Sequence, residues 1–324
     1  KAIILATGSA PRTIPGYPID GVRIVTSDQA LDWRERPRRV AIIGAGAIGV
    51  EFASLLADLG AEVHLFEVLD QVVPGMEPAA ARVLARALQQ RGVEIRTSTG
   101  VDEAIVTGSE VTVPFGTESV AVDVVLVAVG RAPLTAEVGL EGTGVVVDRG
   151  FVVADRRTQE TGEPGVYAVG DIVAGTPQLA HAGFAEGIAA VTHIASGETA
   201  PVDYRTIPLI VYSNPEVAAV GMTEAQAKEA GFDVTTTAHG FGGVARAMIQ
   251  GKAEGTVRVV AKRDGPIVGA TVVGPAAGEL IHELMLAVGW EALPAEAAAF
   301  VHAHPTLAEA VGETLLAAAG RALH

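Results

Sequence analysis

Residues 39–67 read RVAIIGAGAIGVEFASLLADLGAEVHLFE, and the order of residue types here decides the fold class. Arg39 to Ile43 is a short apolar, β-branched run without polar alternation, the pattern of a strand buried on both faces. It stops at Gly44-Ala45-Gly46-Ala47-Ile48-Gly49. Ala47 to Leu59 then reads as a helix with Ile48, Phe52, Leu55, Leu56 and Leu59 on one face, ended by Gly60. Glu62 to Phe66 is a second strand, and Glu67 closes it. Strand, tight turn, helix and strand make a crossover that lays the two strands parallel. In the turn, Gly44 permits the sharp bend, Gly46 lets a pyrophosphate approach the backbone at the helix N-terminus, and Gly49 lets helix and strand pack closely. A carboxylate about 20 residues on, here Glu67, stands where it can accept the hydroxyls of an adenosine ribose. It would repel a 2′-phosphate, which favours NAD over NADP.

The same alternation continues outward. Glu77 to Gln90 is a second helix ended by Gly92, and Val93 to Arg96 a third strand. Val101 to Val120 alternates and carries Gly and Pro, which predicts an antiparallel ribbon. Asp123 to Val129 is a further buried strand closed by Gly130. Upstream, Ala2 to Ala6 reads as a core strand, and Pro11 to Gly21, rich in Pro and Gly, as a linker. Gly165 to Val169 and Leu179 to Ala195 form another strand and helix. Beyond Val202 the pattern changes. Strands at Ile207–Tyr212, Thr256–Lys262 and Ile267–Val273 alternate with helices at Glu224–Ala230, Glu279–Val288 and Thr306–Ala319, which predicts an α+β unit built on an antiparallel sheet.

Composition narrows the function classes. A chain of 324 residues, 49% hydrophobic, can bury two or three cores. Its net charge of −15 argues against nucleic acid or an anionic membrane as partner, because phosphates attract clustered Lys and Arg. No apolar run approaches the ~18 residues of a membrane span. The opening residues lack a basic segment followed by a cleavage site, so a cytoplasmic protein is expected. There is no cysteine, hence no disulfide, thiolate nucleophile or Cys-based metal site within these residues, and no metal is expected.

Several further stretches resemble the flavoprotein disulfide reductases, from residue 1 to about residue 315. Ile3-Ile4-Leu5-Ala6-Thr7-Gly8-Ser9 is similar to the segment that closes the family's first FAD-binding stretch. Val129-Gly130-Arg131-Ala132-Pro133 resembles the turn after its nucleotide domain. Gly165-Val166-Tyr167-Ala168-Val169-Gly170-Asp171 resembles the second FAD fingerprint, followed by Leu179-Ala180-His181 and Glu186-Gly187. The resemblance implies FAD contacts at Thr7, Gly8, Gly130, Arg131 and Asp171, with Asp171 accepting a ribityl hydroxyl and backbone near Ala182 facing the isoalloxazine. It implies NAD contacts at Gly44, Gly46, Ile48, Gly49 and Glu67, with Glu51 the acid near the nicotinamide. His302-Ala303-His304-Pro305-Thr306-Leu307-Ala308-Glu309 resembles the family's His-Pro…Glu signature. It implies that His304 is a general base toward a dithiol and that Glu309 orients it. A carboxylate on one ring nitrogen fixes the tautomer and leaves the other to take a proton. His302 is read as supporting or structural.

The form HPTLAE is similar to the dihydrolipoamide dehydrogenase branch; mercuric and coenzyme A disulfide reductases are the neighbouring alternatives. The implied architecture is α/β: a remnant of the first FAD segment and linker over 1–36, a Rossmann-type doubly wound NAD domain over 37–134, a second FAD segment over 135–200, and an α+β interface domain over 201–324. The implied assembly is a homodimer, with a small or lipoyl-domain dithiol as substrate and possible service in a 2-oxoacid dehydrogenase complex. Asn214-Pro215-Glu216, Val220 to Glu224, Arg246-Ala247 and Val273-Gly274-Pro275 also match the interface domain and are read as structural. Two departures stand out. The family's N-terminal GxGxxG and its CxxxxC redox disulfide are absent, so a truncation by roughly 150 residues, one domain's worth, is expected. That leaves the chain able to bind NAD, with FAD doubtful and activity alone not expected. The alternative is a cysteine-free relative acting as an NAD-binding or scaffolding subunit. After His181 the sequence runs Ala-Gly-Phe, without the polar residues expected there.

Overall fold

Apolar runs without polar alternation in the first half build a parallel sheet with two different coverings. A computed structural model describes residues 1–136 and 138–323, and the chain divides into two compact units. One comprises Lys1–Arg12 with Arg131–Ile207, the other Thr13–Gly130 with Pro208–His324.

In the second unit five parallel strands run in the order Ile24–Val25, Val124–Val127, Arg39–Ile43, Glu62–Phe66, Glu94–Arg96. Each central strand is buried on both sides. Val40, Ile42, Val63, Leu65 and Leu126 pack under the helices Ala47–Asp58 and Pro78–Gln90. Ala41, Ile43, Phe66, Val125 and Val127 pack on the opposite side against Val111, Val113, Phe115 and Val122. The latter belong to a three-stranded antiparallel sheet, Ile105–Thr107, Glu110–Phe115 and Glu118–Val122. The predicted ribbon is this sheet, and it does the covering that a helix does elsewhere.

Past Pro208 a five-stranded antiparallel sheet runs in the order Leu209–Val211, Glu216–Gly221, Ile267–Gly274, Thr256–Lys262, Val234–Gly240. Helices Ala277–Gly289 and Glu309–Ala318 bury Ile281, Leu284, Val311 and Leu315 against it. Val211, Val217 and Val273 of this sheet share one core with the nucleotide strands.

The first unit is smaller in core. Ile3–Leu5 pairs in parallel with Val166–Ala168, and Ser9–Pro11 pairs antiparallel with Arg131–Pro133. The helix Ala180–Ser196 follows the turn Gly170–Ile172 and ends at Gly197, which takes the left-handed conformation at φ +72°.

Three expectations need correction. The helix after the glycine turn buries Gly49, Val50, Ala53, Ser54 and Leu56, while Leu55 and Leu59 are each 52% exposed. Small residues face the sheet because the helix lies close to it, so the bulky stripe on Ile48, Leu55 and Leu59 is displaced outward. The strand Ile3–Leu5 is not a core strand: Ile3 is 60% exposed, and only Leu5 reaches the cluster around Val152, Ala168 and Ile172. Among the described residues it pairs along one edge only, with Val166–Ala168. Pro11 to Gly21 is not a free linker either. Tyr17 is buried at 1% exposure and donates from its hydroxyl to the Asp102 carbonyl at 2.8 Å, and Ile24–Val25 adds the edge strand.

Candidate functional site

The glycine turn of the second unit has the geometry its residue types require. Gly44 sits at φ +100°, where a Cβ would come 2.5 Å from the Ala128 carbonyl oxygen. A Cβ on Gly49 would stand 1.9 Å from the Gly44 oxygen, so helix and strand could not approach as they do. A Cβ on Gly46 would meet nothing within 4 Å. Gly46 is also the N-cap of Ala47–Asp58 and supplies no side-chain cap. Space above one glycine, beside uncapped helix N–H groups and the positive end of the helix dipole, fits a pyrophosphate. Ile48 is half-buried in the first turn.

Glu67 is buried at 8% exposure. One carboxyl oxygen accepts the Ala45 N–H at 2.7 Å and the other the Leu69 N–H at 3.0 Å. The acid therefore fixes the turn it was expected to serve, and each oxygen keeps a second lone pair for a ribose hydroxyl. The Val73 N–H holds the turn from above through the Ala45 carbonyl at 2.7 Å. Glu51 accepts the Tyr212 N–H at 2.8 Å. Burial pushes the Glu51 carboxyl above its ordinary range, and the Tyr212 N–H pulls the other way.

In the first unit, Thr7, Gly8, Arg131 and Asp171 come together around a residue the sequence reading left out, Ser9. Gly8, at φ +74°, and Thr7 bond Leu134 through the Gly8 carbonyl (2.9 Å) and the Thr7 hydroxyl (2.5 Å). The Arg131 guanidinium donates to the Ser9 hydroxyl and to the Ser9 carbonyl, both at 2.6 Å. The Ser9 hydroxyl in turn donates to one Asp171 oxygen at 2.5 Å. One oxygen of Asp171 is thus fixed and the other remains to accept. Asp171 lies on the turn Gly170–Ile172, held from beneath by Glu186. Glu186 is wholly buried, accepting the Gly170 N–H at 2.6 Å and the Tyr204 hydroxyl at 2.9 Å. Burial first, then Glu186, pushes the Tyr204 phenol up to about 12. Ala182 is buried in the first turn of Ala180–Ser196, whose N-terminus has no side-chain cap. Gly130, at φ +109°, makes the bend before Arg131. Ser9 stands inside the quoted motif and was legible there; Tyr204 carries no motif signal.

His304 and Glu309 meet as their spacing suggested. His304 Nδ1 lies 2.8 Å from Glu309 Oε1, and Glu309 Oε2 accepts the Thr306 N–H at 2.8 Å. Since a carboxylate only accepts, the proton sits on Nδ1 and Nε2 is the nitrogen left to act. The His304 side chain is 70% exposed. The His304 hydrogen bond, then the Thr306 N–H, holds the Glu309 carboxyl below its ordinary range. Among the described residues no helix is long and apolar enough to cross a membrane.

Comparison with known proteins matches this geometry to one family. Residues 1–187 match the pyridine nucleotide-disulphide oxidoreductases, and residues 207–315 match the dimerisation domain of the same proteins. The dihydrolipoyl dehydrogenase of Bacillus subtilis is 37% identical over 331 residues, which span 100% of this chain and 69% of that protein. A dihydrolipoyl dehydrogenase of Haloferax volcanii is 40% identical, over 99% of this chain and 69% of its own. The leghemoglobin reductase of Glycine max is 38% identical, over 98% and 62%. The crystal structure of LpdA from Mycobacterium tuberculosis superposes with a TM-score of 0.90 at 30% identity, covering 97% of this chain and 69% of that one.

Proposed function

The chain belongs to the pyridine nucleotide-disulphide oxidoreductase family, and we propose that within it the chain serves dithiol oxidation coupled to NAD, as a dihydrolipoyl dehydrogenase. The observation that carries this reading is the His304–Glu309 pair, a histidine locked by a carboxylate on one nitrogen and open at the other. In the net reaction a dithiol becomes a disulfide, giving up two electrons and two protons. One hydride's worth of these reduces NAD and one proton leaves to solvent. FAD and NAD, when bound, supply the two-electron carriers.

The chain's own residues do the rest. His304 takes a thiol proton at Nε2, and Glu309 holds the ring and offsets the charge it gains. Gly44, Gly46, Ile48 and Gly49 would hold the NAD pyrophosphate, Glu67 the adenosine ribose, and Glu51 the nicotinamide end. Thr7, Gly8, Gly130, Arg131, Asp171 and Ala182 would hold FAD, with Asp171 the acceptor for a ribityl hydroxyl. The 324 residues hold no cysteine, so the sulfur that exchanges with the dithiol comes from outside them. The interface domain pairs two copies about a two-fold axis, in a cytoplasmic enzyme that serves a 2-oxoacid dehydrogenase complex through a lipoyl-type dithiol. A monomer in analytical ultracentrifugation would count against that assembly.

Two measurements test the reading. Calorimetric titration of the chain is expected to show NADH bound at least tenfold more tightly than NADPH. In the holoenzyme, His304→Gln is expected to lower dihydrolipoamide-dependent NAD reduction by about 10² to 10⁴ in kcat. NADH binding with no dihydrolipoamide turnover in any preparation would favour the scaffold reading.

A further inference from the structure

His304 rides on a segment, residues 299–308, that belongs to no helix or strand. Phe300 is 76% exposed and Val301 97% exposed, so these two side chains do not hold the segment. The side chain that turns inward is His302, at 13% exposure. Its Nε2 lies 2.9 and 3.1 Å from the two carboxyl oxygens of Glu283, which stands on the helix Ala277–Gly289. The other edge of the ring lies on Gly312, in the helix Glu309–Ala318. A Cβ at that position would come 2.5 Å from His302 Nδ1. One ring therefore joins the segment to two helices that share a core, and one of those helices carries Glu309.

We propose that His302 is a positioning residue: seated on Gly312 and clamped by Glu283, it fixes the segment so that His304 meets Glu309 with Nε2 outward. This rests on the reading of His304 as the base. The chemistry of the seat supports it. A glycine is required where the ring edge comes this close to the helix, and a carboxylate is the acceptor a doubly donating imidazolium favours. The charged groups that act on His302 are Glu283 from one helix and Glu309 from the other. The Glu283 hydrogen bond, the larger influence, raises the imidazole above its ordinary value of 6.5 against the cost of burial. A raised value means the clamp is fully present below about pH 6.5 and weakens as pH rises through the folded-state value.

The test uses the full chain labelled with ¹⁵N-histidine. The His304 Nδ1–H that bonds Glu309 is followed by its exchange with water. His302→Ala is expected to speed that exchange about tenfold, the loss of one net hydrogen bond's worth of order. Gly312→Ala is expected to do the same by lifting the ring, with both histidines intact. His302→Gln, which keeps a donor toward Glu283, is expected to restore exchange to within about twofold of the unaltered chain. Glu283→Gln should speed the exchange most at about pH 6, and its rate relative to the unaltered chain at the same pH should fall toward one by about pH 9, where the clamp of the unaltered chain has weakened. Unchanged exchange in His302→Ala and Gly312→Ala, with both still folded by circular dichroism, would overturn the proposal. So would failure of His302→Gln to recover when the alanine variant is perturbed. Should His302→Ala not fold, Gly312→Ala and the pH series of Glu283→Gln decide it alone. None of these readouts requires turnover, so a silent His304→Gln in the activity assay would sink the base assignment and leave the anchor standing.

Discussion

The two glycine turns solve one problem in different ways. Each ends a parallel strand, each precedes an uncapped helix, and each is held by a buried carboxyl group accepting a turn N–H: Glu67 from Ala45 at 2.7 Å, Glu186 from Gly170 at 2.6 Å. At the NAD turn that acid is also the proposed ribose ligand, and its other oxygen bonds backbone, at Leu69. On the flavin side the labour is divided. Glu186 bonds Tyr204 and is wholly buried, while Asp171, steadied by Ser9, is the acid left to accept. Where one acid has two duties, recognition and stability should fail together under mutation. Where two acids share them, they should separate.

The widest separation is expected at Glu186. Glu186→Ala takes away the acceptor of both the Gly170 N–H and the Tyr204 O–H, a loss of about 4 kcal/mol in denaturant unfolding, with NADH affinity unchanged in the variant that remains folded. Equal loss of NADH affinity would break the comparison. Next is Gly49→Ala, whose Cβ overlaps the Gly44 carbonyl. A cost of about 3 kcal/mol is expected, with NADH binding lost in calorimetry. Glu67→Gln keeps one acceptor and should cost about 1.5 kcal/mol in both stability and NADH affinity, and should narrow the NADH to NADPH ratio. Were affinity to fall with stability untouched, the dual role of Glu67 would be wrong. Gly46→Ala is the smallest. Its Cβ enters open space, so unfolding should shift by less than about 1 kcal/mol while NADH binding weakens.

An alkaline titration sharpens the flavin side. The Tyr204 phenol is raised from its ordinary value of 10.0 to about 12. A raised folded value makes its contribution full below pH 10 and lost as pH climbs toward 12. Stability measured across that window should fall, and the part due to this group should vanish in Tyr204→Phe.

Much of the fold was legible because its strands are buried on both faces. Runs such as Arg39–Ile43 and Val124–Val127 show no alternation, and glycines mark their ends. What escaped were elements with weak apolar signal. Val234–Gly240 is a polar edge strand with three threonines, and Ile24–Val25 is two residues long. The buried face of Ala47–Asp58 was misjudged because close packing selects Gly49 and Ala53 over Leu55. At the candidate sites, the residues proposed to meet a ligand sit in motifs that the sequence displays. The supports behind them, Glu186 with Tyr204 and Glu283 with His302, join positions 18 and 19 residues apart. No local pattern encodes such pairs, since only the fold brings them together.

The bond from Glu51 to the Tyr212 N–H, with Ser54 Oγ accepting the Asn214 N–H at 3.0 Å and the shared core at Val211, Val217 and Val273, bears on how such proteins can be recombined. A chimera that exchanged only residues 37–134 for a relative's segment would cut through a continuous interior. It would also leave the helix that carries Glu51 facing a foreign loop. The exchangeable module here is the discontinuous pair, Thr13–Gly130 together with the sequence from Pro208 onward.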